Sequence, residues 1–504
     1  MIARRDFLRD ASAFGALMAF AGCSAARWKL ASGGSMYNFA LPPMEEVRFG
    51  FIGLNRGAAG VEPFSAISGT RVTALCDLRQ TLIDKCQTTI AKYGRPKAKE
   101  YTGGEDAWKA MGDDPDIDFV VIGTPMPLHA PMALYLMEHG KHVAVEVPSA
   151  LTVEDCWAMV ETSERTQRIC TQIENCLYDR TEMMMYNAVL NGTIGEPIYA
   201  ESGYIHDCRD LLAPGKFYSD GTFDRIGRKD EHRPATELDK DGLLWRGSYY
   251  SKHCGNHYPT HGLEPLSHIF NINRGDRFDT IVSNETASFT FREYAEKTFG
   301  RDSHIAKNVT MKSGDHHVSL IRTACGKLIN LSLSVQTPRP YARLKLVQGT
   351  HGAFVRRPFL VSMDPDVNGK YSAKTGFRYA LEKTPVHGSH AWSSDEASAA
   401  FEKANEHPLW RDAGELAKKF GGHGGMDFLM FLRIGYCLNR GLPLDQDVYD
   451  LAALSSIVEL SEKSVLSGGR TMDFPDFTRG AWKDRKPVTV GTVDADYLKG
   501  VKVV

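Results

Sequence analysis

Short apolar runs that end in glycine or a polar residue alternate with amphipathic segments through the first third of the chain. The apolar runs occupy residues 47–53, 71–77, 117–123, 142–146 and 169–173. Helical stretches separate them, for example about 131–139 and 153–165. Continuously apolar strands alternating with helices are typical of a parallel sheet covered on both faces. The pattern predicts an α/β Rossmann domain, a doubly wound parallel sheet, over residues 47–178.

After about residue 178 the pattern changes to alternating and β-branched runs, at 197–204, 279–291, 316–322 and 328–335. Such alternation is typical of antiparallel strands with one buried face. Residues 179–504 are therefore predicted to form an α+β domain with a large, mainly antiparallel open sheet. A helix is expected near 445–467, whereas the stretch from about 356 to 420 is predicted to be irregular. The loop-rich region 206–262 is rich in His, Tyr, Arg and Gly, and long loops of this kind usually carry function.

The polar residues at the predicted strand ends point to a dinucleotide. The first strand ends in a turn from Gly53 to Gly57, and the second ends at Asp77, 24 residues after Gly53. Small residues at such a turn let the backbone approach a pyrophosphate, and the acid can accept hydrogen bonds from ribose hydroxyls. Asp77 would also repel a 2'-phosphate, which favours NAD over NADP, while the nearby Arg79 leaves that preference open.

The first residues have the pattern of an export signal. Arg4-Arg5-Asp6-Phe7-Leu8 precedes a short apolar stretch, as in a twin-arginine signal over residues 1–23, with residues 24–46 as a linker. Cys23 follows Phe20-Ala21-Gly22, as at a lipoprotein cleavage site; simple cleavage near Ala26 or Ser35 is the alternative. The sequence thus predicts a partner in the twin-arginine translocation machinery and a periplasmic or membrane-anchored location.

Composition narrows the function classes. The chain has 504 residues with 60 Lys+Arg against 62 Asp+Glu, a net charge of -2, so no basic field favours nucleic acid. Ten cysteines without a CxxC pair argue against a disulfide framework and a structural zinc site, and no metal ligands are predicted.

Five motifs carry a resemblance. The glycine turn, Thr-Pro-Met-Pro-Leu-His-Ala-Pro at 124–131 and Gly-Lys-His-Val-Ala-Val-Glu-Val-Pro at 140–148 resemble the Gfo/Idh/MocA oxidoreductases. Tyr-Pro-Thr-His-Gly-Leu at 258–263 with Asn-Arg-Gly-Asp at 273–276 is similar to glycoside hydrolase family 109. The chain departs from the wider pattern in two places: its glycine turn is one residue shorter, and Val147 stands where many sugar dehydrogenases have lysine. Since that lysine helps to move the proton of the alcohol being oxidised, its absence disfavours an ordinary dehydrogenase.

The resemblance also implies site residues. NAD contacts are expected at Asn55, Arg56, Asp77, Met126, Pro127, Leu128, His129, Glu146, Val147 and Asn175. A sugar site is expected at Tyr204, Arg246, Tyr258, Pro259, Thr260, His261 and Tyr341. Within it we expect His261 to relay the proton of the sugar C3 hydroxyl, because imidazole titrates near neutrality. Tyr204 or Tyr258 is expected to be the C2 base or the leaving-group acid, which requires a lowered phenol pKa; Arg246 would hold sugar hydroxyls or polarise a ketone, and His257 is a weaker candidate.

The resemblance implies hydrolysis of a terminal α-linked N-acetylgalactosamine with tightly bound NAD that is not consumed. The sugar is oxidised at C3, the C1 substituent is eliminated, water adds, and C3 is reduced again. The alternatives are an NAD-dependent sugar or cyclitol oxidoreductase, the same chemistry on another glycoside or anomer, and a non-catalytic sugar-binding lipoprotein. A homo-oligomer is expected from the superfamily's sheet.

Overall fold

The computed structural model describes residues 33–225, 232–356, 359–363 and 392–504. The twin-arginine motif and Cys23 lie outside the described residues, so export and lipid anchoring stay predictions. None of the described helices is long and apolar enough to span a membrane. Within the same ranges every cysteine is free.

The first domain contains a six-stranded parallel sheet in the order β3-β2-β1-β4-β5-β6. Its strands are β1 (Val47–Ile52), β2 (Thr70–Cys76), β3 (Lys99–Tyr101), β4 (Phe119–Ile122), β5 (His142–Val145) and β6 (Cys170–Gln172). The central strands are almost wholly buried, because helices cover both faces. The predicted Rossmann domain is therefore confirmed.

The helices of this domain are α1 (Val61–Ala66), α2 (Gln80–Lys92), α3 (His129–Glu138) and α4 (Val153–Thr166), and α5 (Arg180–Leu190) follows it as the first helix of the second domain. Local sequence sets their ends. α4 begins where the Thr152 hydroxyl accepts a hydrogen bond from the Asp155 backbone N–H, and it ends at Gln167 in the left-handed conformation. α5 begins where Asp179 accepts from the N–H groups of Thr181 and Glu182.

The second domain is built on an eight-stranded sheet in the order β16-β15-β14-β7-β13-β12-β11-β17. Only the β13–β7 pair is parallel, which confirms the mainly antiparallel prediction. The strands are β7 (Pro197–Ile205), β11 (Phe278–Glu285), β12 (His317–Thr323), β13 (Leu328–Ser334), β14 (Leu346–Gly349), β15 (Gly352–Val355), β16 (Leu360–Met363) and β17 (Met472–Asp473). A small sheet in the loop region contains β8 (Pro214–Phe217), β9 (Thr222–Arg225) and β10 (Arg233–Pro234).

Ten further helices complete the described part of the chain. They are α6 (Trp245–Tyr250), α7 (Thr260–Ile269), α8 (Thr290–Phe299), α9 (His304–Asn308), α10 (Asp395–Ala404), α11 (Pro408–Phe420), α12 (Met426–Arg440), α13 (Val448–Ser455), α14 (Ile457–Leu466) and α15 (Ala495–Lys499). The stretch predicted to be irregular contains α10 and α11, so that prediction was wrong for residues 395–404 and 408–420. The segment predicted as one helix near 445–467 contains two, α13 and α14, which meet at Ser456.

Two packing contacts position α7, α12 and α13 of the second domain. α12 is buried along most of its length and packs back onto the nucleotide domain, with the Phe431 ring edge-on to Phe64 at 5.3 Å. The Asn-Arg-Gly-Asp motif ties the end of α7 to α13, because Arg274 donates to the buried carboxylate of Asp450 at 2.6 Å and 2.7 Å. Asp450 also completes the capping box with Asp447 at the start of α13.

Candidate active site

A crevice lies at the carboxyl ends of β1, β2, β4, β5 and β6, where ligands of open parallel sheets bind. Gly53 has φ +82°, and a Cβ there would lie 2.7 Å from the Gly123 carbonyl oxygen. A Cβ on Gly123 would lie 2.5 Å from the Cα of Gly57. The glycines therefore let the first turn approach the end of β4 closely, and they leave Asn55 and Arg56 exposed at the rim of the crevice.

Asp77 is fixed at the end of β2. Its carboxylate accepts hydrogen bonds from the backbone N–H of Leu54 at 2.7 Å and of Arg79 at 2.9 Å. The Arg79 side chain lies 3.8 Å from Asp77 and 3.5 Å from Glu237 of the second domain. The loop that contains Glu237 therefore reaches across to the end of the crevice where the acid lies.

The residues predicted after β4 form a short helical turn, Met126–Leu128, in which Met126 is buried and Pro127 and Leu128 are exposed. His129 is buried, and its two ring nitrogens lie 2.8 Å from the carbonyl oxygens of Thr124 and Pro148. Burial lowers the pKa of His129. Its imidazole thus joins the turns after β4 and β5.

Glu146 and Val147 follow β5. A Glu146 oxygen accepts from the Val147 backbone N–H at 3.2 Å. Burial raises the pKa of Glu146 to about 7, and the carboxylates of Glu174 and Asp427 act in the same direction. Glu146 is therefore a group of this crevice that changes charge near neutral pH.

Asn175 follows β6 and provides a test of whether a dinucleotide fits. Its amide nitrogen donates to Asp427 at 2.6 Å, whereas its carbonyl oxygen is buried and has no partner among the described residues. A buried acceptor without a donor is unfavourable until a ligand supplies one. The orphan oxygen, the close glycines and the carboxylate of Asp77 at the end of β2 together fit NAD.

The residues predicted to bind sugar come together opposite this crevice. The ring of Tyr204, on β7, lies 5.0 Å from Tyr258, 5.1 Å from His261 and 5.9 Å from Tyr341. The Arg246 guanidinium lies 5.7 Å from the centre of the Tyr258 ring. Pro259 and Thr260 are buried at the start of α7 and orient the residues on either side.

Gly262 explains why His261 sits where it does. A Cβ at this position would meet Leu331 at 2.9 Å and the Gly203 backbone at 3.1 Å, so only glycine lets α7 pack this closely on β7. Its carbonyl oxygen accepts from the Ser202 hydroxyl at 2.6 Å and from the buried Lys345 amine at 2.5 Å. The first turn of α7 is thereby held beside Tyr204.

His261 is paired with a carboxylate. Its Nδ1 lies 2.8 Å from both oxygens of Glu174, which is completely buried at the end of β6. Burial alone would lower the pKa of His261, but the neighbouring Cys176 thiol and Glu174 raise it to about 10. Although burial opposes ionisation of Glu174, the His261 charge keeps the pKa of that carboxyl below its usual range. Both groups are therefore charged at neutral pH, and Nε2 of His261 is a hydrogen-bond donor.

The phenols differ from the expectation. Burial raises the pKa of Tyr204 and of Tyr258, whereas the sequence-based roles required a lowered value. Arg246 opposes this shift at both tyrosines. Both phenols are protonated at neutral pH in the protein alone, and the Tyr258 ring lies beside two cations, Arg246 and His261.

Sequence reasoning missed three polar groups here. Glu174 directly precedes the predicted Asn175, and His206 is two residues beyond Tyr204, with its ring 5.6 Å from Tyr341; adjacency and strand alternation could have found both. The third group is His423 with Asp427. The only sequence signal for it is the unusual Gly-Gly-His-Gly-Gly segment in which His423 lies. The weaker candidate His257 is fully buried against Tyr250, and burial lowers its pKa to about 3.

Among the described residues, Glu174, Cys176 and His261 form the one group whose ligand atoms lie close enough, within 4.8 Å, to hold a metal ion. The sequence predicted no metal ligands. The thiolate, imidazole and carboxylate donors would suit a divalent transition metal. The ion pair between Nδ1 and Glu174 already uses two of these donors.

Comparison with known proteins identifies both domains. The description "Oxidoreductase family, NAD-binding Rossmann fold" matches residues 47–173, and "Glycosyl hydrolase 109, C-terminal domain" matches residues 178–484. The chain belongs to glycosyl hydrolase family 109. A family 109 protein of Shewanella pealeana is 39% identical over 493 residues, covering 97% of this chain and 98% of the relative. A Shewanella oneidensis relative named alpha-N-acetylgalactosaminidase is 39% identical over 496 residues, covering 97% and 99%.

Solved oxidoreductase structures share the fold of this chain. A levoglucosan dehydrogenase in complex with NADH has a TM-score of 0.56 at 16% identity, covering 85% of this chain and 99% of that one. An aldose-aldose oxidoreductase from Caulobacter crescentus has a TM-score of 0.53 at 15% identity, covering 85% and 100%. Family membership and the NAD-binding domain together make the chain an NAD-dependent enzyme of a glycoside hydrolase family.

Proposed function

We propose that this enzyme hydrolyses terminal α-linked N-acetylgalactosamine by transient oxidation of the sugar at C3, elimination of the C1 substituent, addition of water and reduction of C3. The observation that carries the proposal is the charged His261–Glu174 pair, which joins the end of β6 in the nucleotide crevice to the tyrosine cluster. The relative named alpha-N-acetylgalactosaminidase, 39% identical over nearly the whole chain, supports the choice of sugar.

NAD would be held by the residues predicted from the sequence, from Asn55 and Arg56 at the first turn to Asn175 after β6. When bound, it supplies a hydride acceptor for C3 and returns the hydride at the end of the cycle. The remaining steps are proton transfers, and the chain's own residues perform them.

The charge states of the site assign these transfers. His261 stays cationic, so its Nε2–H donates a hydrogen bond to the C3 oxygen and stabilises negative charge there. Its predicted role as a proton relay is replaced by this electrostatic one. Glu146 has a pKa of about 7 and interacts with the charge of His261, so we assign to it the proton that leaves the C3 hydroxyl, which it returns to the C3 oxygen when C3 is reduced.

The 3-ketone acidifies the proton on C2, which a base must remove. Arg246 and His261 lie beside Tyr258, and Arg246 lowers the pKa of this phenol against the effect of burial. We assign C2 deprotonation to Tyr258, which acts as its phenolate after its proton has passed to solvent. Tyr204 keeps its proton and donates it to the departing C1 oxygen. Water then adds its hydroxyl to C1 and its proton to Tyr204, while Tyr258 returns a proton to C2.

The test is turnover of p-nitrophenyl α-N-acetylgalactosaminide with the nucleotide followed by absorbance. The proposal predicts nitrophenol release that continues for many turnovers, depends on NAD and produces no net NADH. Accumulation of NADH from free sugars or cyclitols without glycoside cleavage would instead establish the oxidoreductase that the fold also suits. No turnover of any glycoside or free sugar would indicate a binding protein.

A further inference from the structure

Residues 421–425, Gly-Gly-His-Gly-Gly, connect α11 to α12 with an unusual backbone. All five have positive φ: 72° at Gly421, 62° at Gly422, 48° at His423, 78° at Gly424 and 107° at Gly425. His423 alone among them has a side chain, and L-residues rarely adopt this conformation. The imidazole is therefore held in its position against the preference of its own backbone, a kind of strain that clusters at ligand sites.

The ring of His423 is oriented by Asp427, one turn into α12. Its Nδ1 lies 2.8 Å from one Asp427 oxygen, and the other oxygen accepts from the Asn175 amide nitrogen at 2.6 Å. A carboxylate only accepts, so Nδ1 of His423 carries the proton, and the nitrogen of the Asn175 amide must face Asp427. Two acceptors remain: Nε2 of His423, on a side chain that is 47% exposed, and the buried Asn175 carbonyl oxygen.

The position of this pair is on the nucleotide crevice. Asn175 follows β6, and its amide nitrogen lies 3.4 Å from Nδ1 of His423. α12 packs on α1, the helix that follows the first glycine turn. The segment 421–425 thus closes the β6 end of the crevice, as Glu237 closes the Asp77 end.

We propose that His423 is a cofactor-binding residue, whose Nε2 accepts a hydrogen bond from a ribose hydroxyl of the nicotinamide half of NAD while the Asn175 carbonyl oxygen accepts a second one. Two neighbouring acceptors match the two hydroxyl donors of a ribose diol, and the donor that Asn175 lacks is supplied by the same group. This inference rests on the nucleotide site of the proposed function but does not depend on which glycoside is cleaved.

The experiment compares His423→Gly with the parent. Glycine tolerates φ of 48° without strain and lacks the imidazole, so a loss of binding is separated from a loss of folding. NAD+ affinity is measured by calorimetry on protein stripped of nucleotide, and the melting temperature is measured without nucleotide. We expect affinity to fall up to about tenfold, the upper end of the net contribution of one hydrogen bond, with the melting temperature maintained. His423→Asn, which tolerates the left-handed backbone and offers an acceptor, should recover part of the affinity.

His139→Ala is the control, because this exposed histidine follows α3 just before β5 begins, at the amino end of the strands and away from the crevice at their carboxyl ends, and should leave the affinity unchanged. An unchanged affinity in His423→Gly would overturn the proposal, and if turnover nevertheless fell, His423 would act on the sugar instead. A lowered melting temperature with proportionate loss of affinity would assign it a purely structural role and also overturn it. Because affinity is measured without a glycoside, these outcomes are independent of the proposed reaction.

Discussion

The two ends of α7 carry two buried cation–carboxylate pairs with different surroundings. At its start, His261 pairs with Glu174, and the His261 side chain keeps 15% of its surface exposed toward the crevice. Beyond its end, Arg274 pairs with Asp450, and these side chains are 4% and 0% exposed. The two cations, His261 and Arg274, come from the two motifs that carry the resemblance to the family. The partly exposed His261–Glu174 pair can contact a substrate, whereas the buried Arg274–Asp450 pair can only hold α7 against α13.

The difference teaches that a diagnostic motif need not be a functional one. The Arg274 guanidinium donates hydrogen bonds to Asp450, Asp447 and the carbonyl oxygen of Ile272. Few of its N–H groups are therefore available to a ligand. His261 commits only Nδ1, and Nε2 remains for the sugar. The predictions below separate a folding role from a catalytic one at these two pairs.

The largest effect is expected for Arg274→Met, which leaves the carboxylates of Asp450 and Asp447 buried without a counter-charge. The free energy of unfolding should fall by about 3–5 kcal/mol in denaturant titration. kcat of the NAD-loaded, folded fraction should be unchanged. Arg277→Met is the control: its pair with Asp279 is partly exposed, so the loss should be about 1 kcal/mol or less. A fall in kcat at normal stability in Arg274→Met would erase the distinction between the pairs.

Glu174→Gln should lower kcat and have a smaller effect on stability than Arg274→Met. Without the carboxylate the His261 pKa falls and its ring is no longer held, so kcat should drop on the order of 100-fold. NMR titration of His261 checks the first effect and steady-state kinetics the second. Glu264→Gln provides a matched control, since Glu264 and His268 form a closed pair 3.1 Å apart further along α7. If Glu264→Gln reduced kcat as much as Glu174→Gln, exposure toward the crevice would not explain why one pair acts in catalysis and the other in folding.

The pH dependence of stability also distinguishes the pairs. The pKa of His261 is raised from about 6.5 to about 10, so its pairing contributes stability that is fully present below pH 6.5 and is lost as pH rises through 10. Each pKa unit corresponds to about 1.4 kcal/mol. We expect the free energy of unfolding to decline over this window in the parent and to be flatter in Glu174→Gln. Equal slopes in the two proteins would contradict a cationic His261.

The smallest effect is expected from chelation. Glu174, Cys176 and His261 could together hold a metal ion, but the ion pair uses Nδ1 of His261 and the proposed chemistry requires no metal. Treatment with EDTA should leave turnover within the error of the assay, and metal analysis should find less than one equivalent per chain. Loss of activity that zinc or manganese restores would replace the ion pair with a metal centre.

The sequence was sufficient for the nucleotide half because its signals are local. Apolar runs indicate the strands of a parallel sheet. The polar residues that follow these strands, from Asp77 to Asn175, are then expected at the crevice. The sugar half depended on distant contacts that no spacing encodes. Glu174 reaches His261 across 87 positions. The β6 end of the nucleotide crevice also depends on a distant contact, since Asp427 reaches Asn175 across 252 positions. Charge states were missed for the same reason: burial sets the pKa values of Glu146, Tyr204 and Tyr258, and burial follows only from the assembled fold.

The central claim is that the glycosidic bond breaks by elimination after oxidation at C3, and deuterium at C2 of the released sugar tests it most directly. p-Nitrophenyl α-N-acetylgalactosaminide is hydrolysed in D2O, and the product is analysed by NMR and mass spectrometry. The account predicts one deuterium at C2 in each released N-acetylgalactosamine, because the base that removes the C2 proton exchanges with solvent before it returns one. Release of N-acetylgalactosamine that retains hydrogen at C2 would contradict the account and would indicate direct displacement at C1.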